Sequence, residues 1–362
     1  MMRPTHGGNL AWAATVADCS PASILDFSAS INPLGPPSSA IRAIKSGLTD
    51  LVAYPDPSYY QLREALRKVH PTLTPDWIFP GNGSAELLTW AARELSQLGE
   101  TAILTPAFSD YQRALKAFDA NVRGYSLFGE GEVDSGFCFP LSTSALLDKL
   151  SGGGLLLNNP HNPTGLLFNR ETLLPLLDKF ALVVVDEAFM DFIPPNQDQS
   201  LIPLVQDYPN LVILRSLTKF YSLPGLRLGY CVTYPDRLRR WQEWRDPWPV
   251  NVLAEAAGIA VLQDTEFQEE TWAWLPTARS QLFAGLSQLP GFHPYPSAAN
   301  FLLVRYEGSC SQLQERLLKE KRILIRDCLS FPELGDRYFR VAVRREEDNQ
   351  RLLEGLSLVV GY

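Results

Sequence analysis

Five short, almost unbroken apolar runs constrain this chain most: TAILTP (101–106), GGGLLLNNP (152–160), ALVVVDEA (181–188), LVILRSL (211–217) and LGYCVTY (228–234). Each is bounded by turn-forming residues, and helical patterns alternate with the strands along the chain. A strand that is apolar on both sides of its alternation must be covered on both faces, as in a mainly parallel sheet. The pattern predicts an α/β fold, a mainly parallel central sheet with helices on both faces. SYYQLREALRKV (58–69) reads as a helix, with Ser58 and Gln61 as a capping box and Leu62, Ala65, Leu66 and Val69 on one face. GNGSAELLTWAAREL (81–95) reads as another, capped by Ser84, with Leu87, Leu88, Ala91 and Leu95 facing inward.

The pattern changes after about residue 265. Helical stretches TARSQLFAGLSQL (277–289) and CSQLQERLLKEKR (310–322) then alternate with the strand patterns NFLLVRY, RILIR and YFRVAVR, and NQRLLEGLSLVV closes the chain. This predicts a smaller α+β domain over 266–362, a large domain over 46–265, and an N-terminal segment, 1–45, that joins the small one. The Pro-rich SINPLGPPSS (30–39) reads as an extended crossing between domains.

At 362 residues with 46% hydrophobic content the chain can bury a large core, and its net charge of −8 argues against a general nucleic-acid binder. Cys19, Cys138, Cys231, Cys310 and Cys328 form no C-x-x-C pair, so neither a disulfide framework nor a zinc site is expected, and the cysteines read as packing in a reducing cytoplasm. No stretch has the length and apolarity of a membrane span, and nothing marks the chain for export.

Candidate chemistry gathers in loops at strand ends, where open α/β sheets form their binding crevice. RSLTKFYSLPGLRLGY (215–230) places Lys219 just beyond an apolar strand, with the hydroxyls of Ser216 and Thr218 and the guanidinium of Arg227 nearby. An amine beside an anion site suggests a phosphorylated carbonyl cofactor. GNGSAE puts Gly81 and Gly83 before a helix whose N–H groups can meet a phosphate. NNPHNPTG holds Asn162 between prolines, with an amide able to donate to a cofactor oxygen. Asp186 ends a strongly apolar strand, where a carboxylate needs a cation such as a pyridinium N–H. Phe108, in TPAFSDY, is a ring able to stack on a planar heterocycle.

These pieces, in this order, resemble the fold type I pyridoxal-phosphate enzymes of the aminotransferase class that contains histidinol-phosphate aminotransferase, over almost the whole chain. The resemblance implies pyridoxal 5'-phosphate as cofactor and Lys219 as the Schiff-base lysine. Asp186 is then the partner of the ring nitrogen, Asn162 the donor to the ring hydroxyl oxygen and Phe108 the stacking ring. Gly83, Ser84, Ser216, Thr218 and Arg227 would hold the cofactor phosphate, and Tyr54 would reach the phosphate of a neighbouring subunit in a homodimer.

Within the class, HGGN (6–9), DFSASINPLGPP (26–37), DEAFMDFIP (186–194), SLTKFYSLPGLRLGY and ILIRDC are most similar to the threonine-phosphate decarboxylases of cobalamin biosynthesis. Phe189 stands where the aminotransferases carry a tyrosine, which removes one hydrogen bond to the ring oxygen and matches the decarboxylases. Arg340 matches the family's carboxylate-binding arginine, and Arg326, His6 and Asn32 are candidates for the phosphate of a small phosphorylated amino acid. The charge run Arg344–Glu347 reads as a solvated helix start, and His161 as a loop residue without a role as a base. A cofactor-sensing regulator on this fold would carry a basic helix-turn-helix segment, and the residues before Tyr54 are expected to be too few and not basic enough for one.

Overall fold

The computed structural model describes residues 3–128 and 143–361; Cys138 lies outside them. In chain order the strands are β1 (Leu25–Asp26), β2 (Ile78–Asn82), β3 (Glu100–Thr105), β4 (Asn121–Ser126), β5 (Gly154–Asn158), β6 (Leu182–Asp186), β7 (Leu211–Ser216), β8 (Leu228–Thr233), β9 (Phe292–Pro294), β10 (Phe301–Tyr306), β11 (Ile323–Leu324), β12 (Arg326–Asp327) and β13 (Tyr338–Ala342).

Strands β2 to β8 form one sheet in the order β2-β8-β7-β6-β5-β3-β4. Pairings from β7 through β4 are parallel, and β8 alone runs against its neighbours β2 and β7. The apolar runs behave as a doubly covered sheet requires. Along β7, Leu211 and Ile213 belong to one core and Val212 and Leu214 to the other; along β6, Val183 and Val185 face away from Leu182 and Val184. Helix Ser84–Leu95 covers the second face with Leu87, Leu88, Ala91 and Leu95, as its periodicity predicts.

The remaining strands form a four-stranded antiparallel sheet, β12-β13-β10-β9, and a short parallel pair in which Leu25 and Asp26 of β1 meet Ile323 and Leu324 of β11. The stretch RILIR therefore divides between two sheets. Helices Thr265–Gln288, Cys310–Lys321 and Glu346–Val360 pack with this region, and the last starts at the charge run. Residues 30–37 are irregular, not extended as expected, with a turn at Pro33 and Leu34 and a helix, Ser38–Ser46, taking up the end of the stretch; they are fixed by Asn300, which donates to the Ser30 carbonyl (3.1 Å), and by the Ser222 hydroxyl, which donates to that of Asn32 (2.5 Å). Among the described residues no helix is long and apolar enough to cross a membrane.

Three local expectations need correction. The helix expected over 58–69 starts at Tyr60, not at a Ser58–Gln61 box, and two helices, Leu10–Ala17 and Ser38–Ser46, precede it; Asp56 is the acceptor, taking bonds from the Ser58 N–H (2.9 Å) and the Tyr60 N–H (3.1 Å). A carboxylate can serve several donors at once and wins over a hydroxyl that must bond locally. Val69, expected inside, is exposed; at the end of the helix His70 meets the sheet instead, 2.9 Å from the Tyr230 hydroxyl. Ser84 is the first residue of its helix, and Gly83 at φ +76° takes the cap position.

Candidate active site

Because six strands of the large sheet point the same way, their carboxyl ends and the loops that follow share one edge. From that edge β2 delivers Gly83 and Ser84, β3 delivers Phe108, β5 delivers Asn158 and Asn162, β6 ends on Asp186, and β7 leads to Lys219. Strand β8 runs oppositely, so its beginning lies at this edge too and places Arg227. A cavity of about 350 Å³ opens here, walled on its far side by residues from β12, β13 and the N-terminal segment.

Strand register sets the inner geometry. Asn158 and Asp186 are direct partners on β5 and β6, as are Ser216 and Gly229 on β7 and β8. The Asn158 amide donates to the Asp186 carbonyl (2.8 Å), and its side-chain oxygen accepts the Asn162 N–H (2.6 Å), so the strand end holds the next loop in place. The Lys219 ammonium donates to the Thr218 hydroxyl (2.8 Å), which is 2.7 Å from that of Ser216. Burial lowers the Lys219 pKa to about 8; nearby Arg227 and Arg340 push the same way, against Asp186. Burial raises Asp186, and only neutral donors bond it: the Tyr111 hydroxyl (2.8 Å) and the Ala188 N–H (3.0 Å). No cation lies within ion-pair distance of it among the described residues.

The turn beside β2 depends on glycine. At Gly83 a Cβ would stand 2.5 Å from the Arg227 guanidinium, and at Gly229 one would stand 2.6 Å from the Ser84 nitrogen. Backbone N–H groups and Arg227 thus converge where any larger residue would block them.

The opposite wall is cationic. Arg326 and Arg340 are register partners on the antiparallel strands β12 and β13, so two buried guanidinium groups leave the same face side by side. Arg340 donates to the Asn162 side-chain oxygen and weakly to the Ser28 carbonyl (3.4 Å), and its Nε has no partner. No carboxylate lies within ion-pair distance of it among the described residues. Burial, with Arg326 adding to it, lowers the Arg340 pKa to about 10. Arg326 donates to the carbonyls of Pro4 and Thr5 and to the Ser330 hydroxyl; its neighbour Asp327, at 3.5 Å, is already bonded by Arg3 at 2.8 Å.

Of the residues singled out in the sequence, Ser84, Phe108, Asn162, Asp186, Lys219, Arg227, His6, Arg326 and Arg340 line the cavity, and Phe189 lines it too, packed edge-on against Phe301. His6 sits 5.6 Å from the Phe108 ring, its pKa lowered mainly by burial. Asn32 requires correction: its amide donates to the Phe220 carbonyl and the Thr271 hydroxyl (2.9 Å each) and its oxygen accepts the Leu34 N–H, so it is spent on packing away from the cavity. Tyr54 is 78% exposed and stacks on Trp248, outside the cavity of its own chain. His161 is buried against Thr164 and its pKa is lowered to about 3 by burial, which suits a structural residue. Sequence reasoning missed Tyr111 and Asn158. Tyr111 follows Phe108 by three positions at a helix start, a spacing that places both rings on one side.

A model of the aminotransferase class I and II family matches residues 22–356. The chain is 42% identical to the threonine-phosphate decarboxylase of Salmonella typhimurium, across 99% of this chain and 98% of that one. Among solved structures it is similar to L-threonine-O-3-phosphate decarboxylase from Porphyromonas gingivalis (TM-score 0.81, 25% identity, 94% and 100% of the two chains). It is also similar to histidinol-phosphate aminotransferase from Clostridium acetobutylicum (TM-score 0.83, 30% identity, 93% and 99%).

Proposed function

From the premise that this chain belongs to the aminotransferase class I and II family, we infer that it uses pyridoxal 5'-phosphate to decarboxylate L-threonine O-3-phosphate. The product is (R)-1-aminopropan-2-yl phosphate, for cobalamin biosynthesis. The observation that carries the substrate is the register pair Arg326 and Arg340: like charges side by side in a strand pair repel, and burial removes the water that would screen them. A substrate with both a phosphate and a carboxylate relieves that repulsion.

The residues fit the cofactor. Ser84 and Arg227 line the cavity beside the glycine-dependent turn at Gly83 and would cradle its phosphate, with the buried, mutually bonded hydroxyls of Ser216 and Thr218 as further donors, and buried Asp186 lacks the cation that a protonated ring nitrogen would supply. Phe108 and Asn162 line the same cavity; Phe108 would cover the ring, and the Asn162 amide would donate to its hydroxyl oxygen. When bound, pyridoxal phosphate supplies an electron sink for the bond that stands perpendicular to its ring.

The protein decides which bond that is. Arg340 would grip the substrate carboxylate through its planar fork while Arg326 and His6 would take the phosphate, and the two holds together would orient the carboxylate for release. Lys219 Nζ, its pKa lowered by burial to about 8 in the cofactor-free protein, would be the group that delivers a proton to the carbon left by carbon dioxide. Phe189, unable to bond the ring oxygen, leaves that position to Asn162 alone.

The active unit is a homodimer. Leu48, Leu51, Val52 and Tyr60 are exposed large apolar side chains close to Tyr54 in sequence, with Val52 94% exposed, and Trp248, exposed as well, stacks on Tyr54; so much exposed apolar surface calls for a cover. A second copy supplies it and brings Tyr54 to its neighbour's cofactor phosphate. Sedimentation at micromolar concentration tests this, with a monomer counting against it.

Incubation with carboxyl-labelled phosphothreonine and no oxo acid tests the reaction. Sustained release of labelled carbon dioxide is expected; retained label with a keto product that depends on 2-oxoglutarate would place the chain with the aminotransferases.

A further inference from the structure

Tyr111 occupies a place that none of the roles above uses. It lies in the first turn of helix Ser109–Lys116, is 3% exposed, and directs its hydroxyl at Asp186 Oδ2 across 2.8 Å. Its ring meets Phe108 edge-on, with centroids 5.7 Å apart and planes at 90°. One helical turn therefore carries both the ring that covers the cofactor and the group that bonds the cofactor's carboxylate partner, which ties the two positions together.

We propose that Tyr111 is a positioning residue that holds Asp186 as an oriented anion, so that the proton shared between Asp186 and the cofactor ring stays on the ring nitrogen. The inference rests on the cofactor reading above. Asp186 receives one donor on each oxygen, the Ala188 N–H on Oδ1 and the Tyr111 hydroxyl on Oδ2. A carboxylate has lone pairs left after these two bonds, so the ring N–H can still be accepted. With the backbone donor alone, a carboxylate this deeply buried is a stronger base and draws the ring proton to itself, which weakens the electron sink.

The donor has to be neutral. A lysine or arginine at the same point would form an ion pair with Asp186 and compete with the ring nitrogen for it. A tyrosine supplies the bond without the charge, and burial together with Asp186 holds its hydroxyl well above the ordinary range, so it remains a donor at every working pH. The Tyr111 bond is also the largest single opposition to the upward push of burial on Asp186.

Tyr111→Phe keeps the ring and removes the donor. In the cofactor-free protein, the carboxyl titration of Asp186, followed by carbon-13 NMR, should rise by about one pH unit, tenfold in proton affinity, as expected for one bond to a charged group. With ring-labelled nitrogen-15 cofactor bound, the resonance should move toward that of unprotonated pyridine, and the change should vanish in an Asp186→Asn background. Replacing Tyr111 with 3-fluorotyrosine, a stronger donor of nearly the same shape, should move both readings the other way, which a purely packing role would not do. An unchanged Asp186 titration, or a bound cofactor whose resonance ignores both replacements, overturns this inference alone. A parent protein that binds no cofactor at Lys219 overturns the functional reading along with it.

Discussion

On the large-sheet wall of the cavity, each reactive group already has a hydrogen-bond partner: Lys219 has Thr218, Asp186 has Tyr111 and the Ala188 N–H, and Asn162 is fixed through Asn158. Across the cavity, Arg326 and Arg340 stand in register with neutral oxygens as their main partners and one Nε unbonded. On the first wall the bonds among neighbours fix the side chains in place, and one charge, that of Asp186, stands without a cation in ion-pair distance among the described residues. The second carries charge in excess of its carboxylates: Arg326 shares Asp327 with Arg3, and Arg340 has none within ion-pair distance among the described residues. Such an arrangement costs the ligand-free protein stability and returns it as selectivity, because a molecule that lacks the anion leaves buried donors unpaired.

Removing the group on which the first wall depends should have the largest effect. Lys219→Ala should abolish measurable turnover while leaving circular dichroism and the thermal transition essentially unchanged, since the amine makes one hydrogen bond to a neighbour and no ion pair. Residual activity near the parent level, or borohydride reduction that marks a different lysine, would sink the assignment.

The second wall should respond through the substrate instead. Truncating Arg340 or Arg326 to alanine should lower kcat/KM for phosphothreonine by on the order of 10²–10³-fold, the usual cost of removing one partner from a buried charge-assisted contact, with cofactor affinity nearly unchanged. The parent enzyme should reject free threonine by as much as ~10⁴-fold, and Arg326→Ala should erase most of that preference. If both alanine variants released cofactor as their main defect, the division between the walls would be wrong.

The first wall was also the more legible one in sequence. Lys219, Asp186, Asn162 and Gly83 each sit within a few residues of an apolar strand, so local pattern and loop chemistry were enough to single them out. The pairing of Arg326 with Arg340 belongs to a strand register, and no local pattern reports which residues of two separate strands will face each other. Asn32 misled because an asparagine amide serves packing as readily as binding; only its partners Phe220 and Thr271, far along the chain, separate the two. Strands β2 and β4 escaped notice for opposite reasons. The first, IFPGN, contains Pro and Gly and is tolerated at the sheet edge, and the second, NVRGYS, is a largely exposed edge strand with no apolar run.

The smallest expected effect tests the two walls against each other on a single amine. In the cofactor-free protein Lys219 is pulled from its ordinary 10.5 to about 8, first by burial, then by Arg227 and Arg340, with Asp186 opposing. A lowered value means that the amine is protonated below about pH 8 and nucleophilic above it, so its acylation rate should rise through pH 8 while surface lysines still resist. Removing Arg340 takes away a cation that favours the neutral amine, and the midpoint should move up. Asp186→Asn takes away an anion that favours the charged amine, and the midpoint should move down. Both shifts should be smaller than the burial effect, because neither variant lets water reach the amine. Peptide-resolved labelling against pH would read all three proteins; a parent midpoint near 10.5, or variants that shift in the same direction, would show that the two walls do not meet at Lys219.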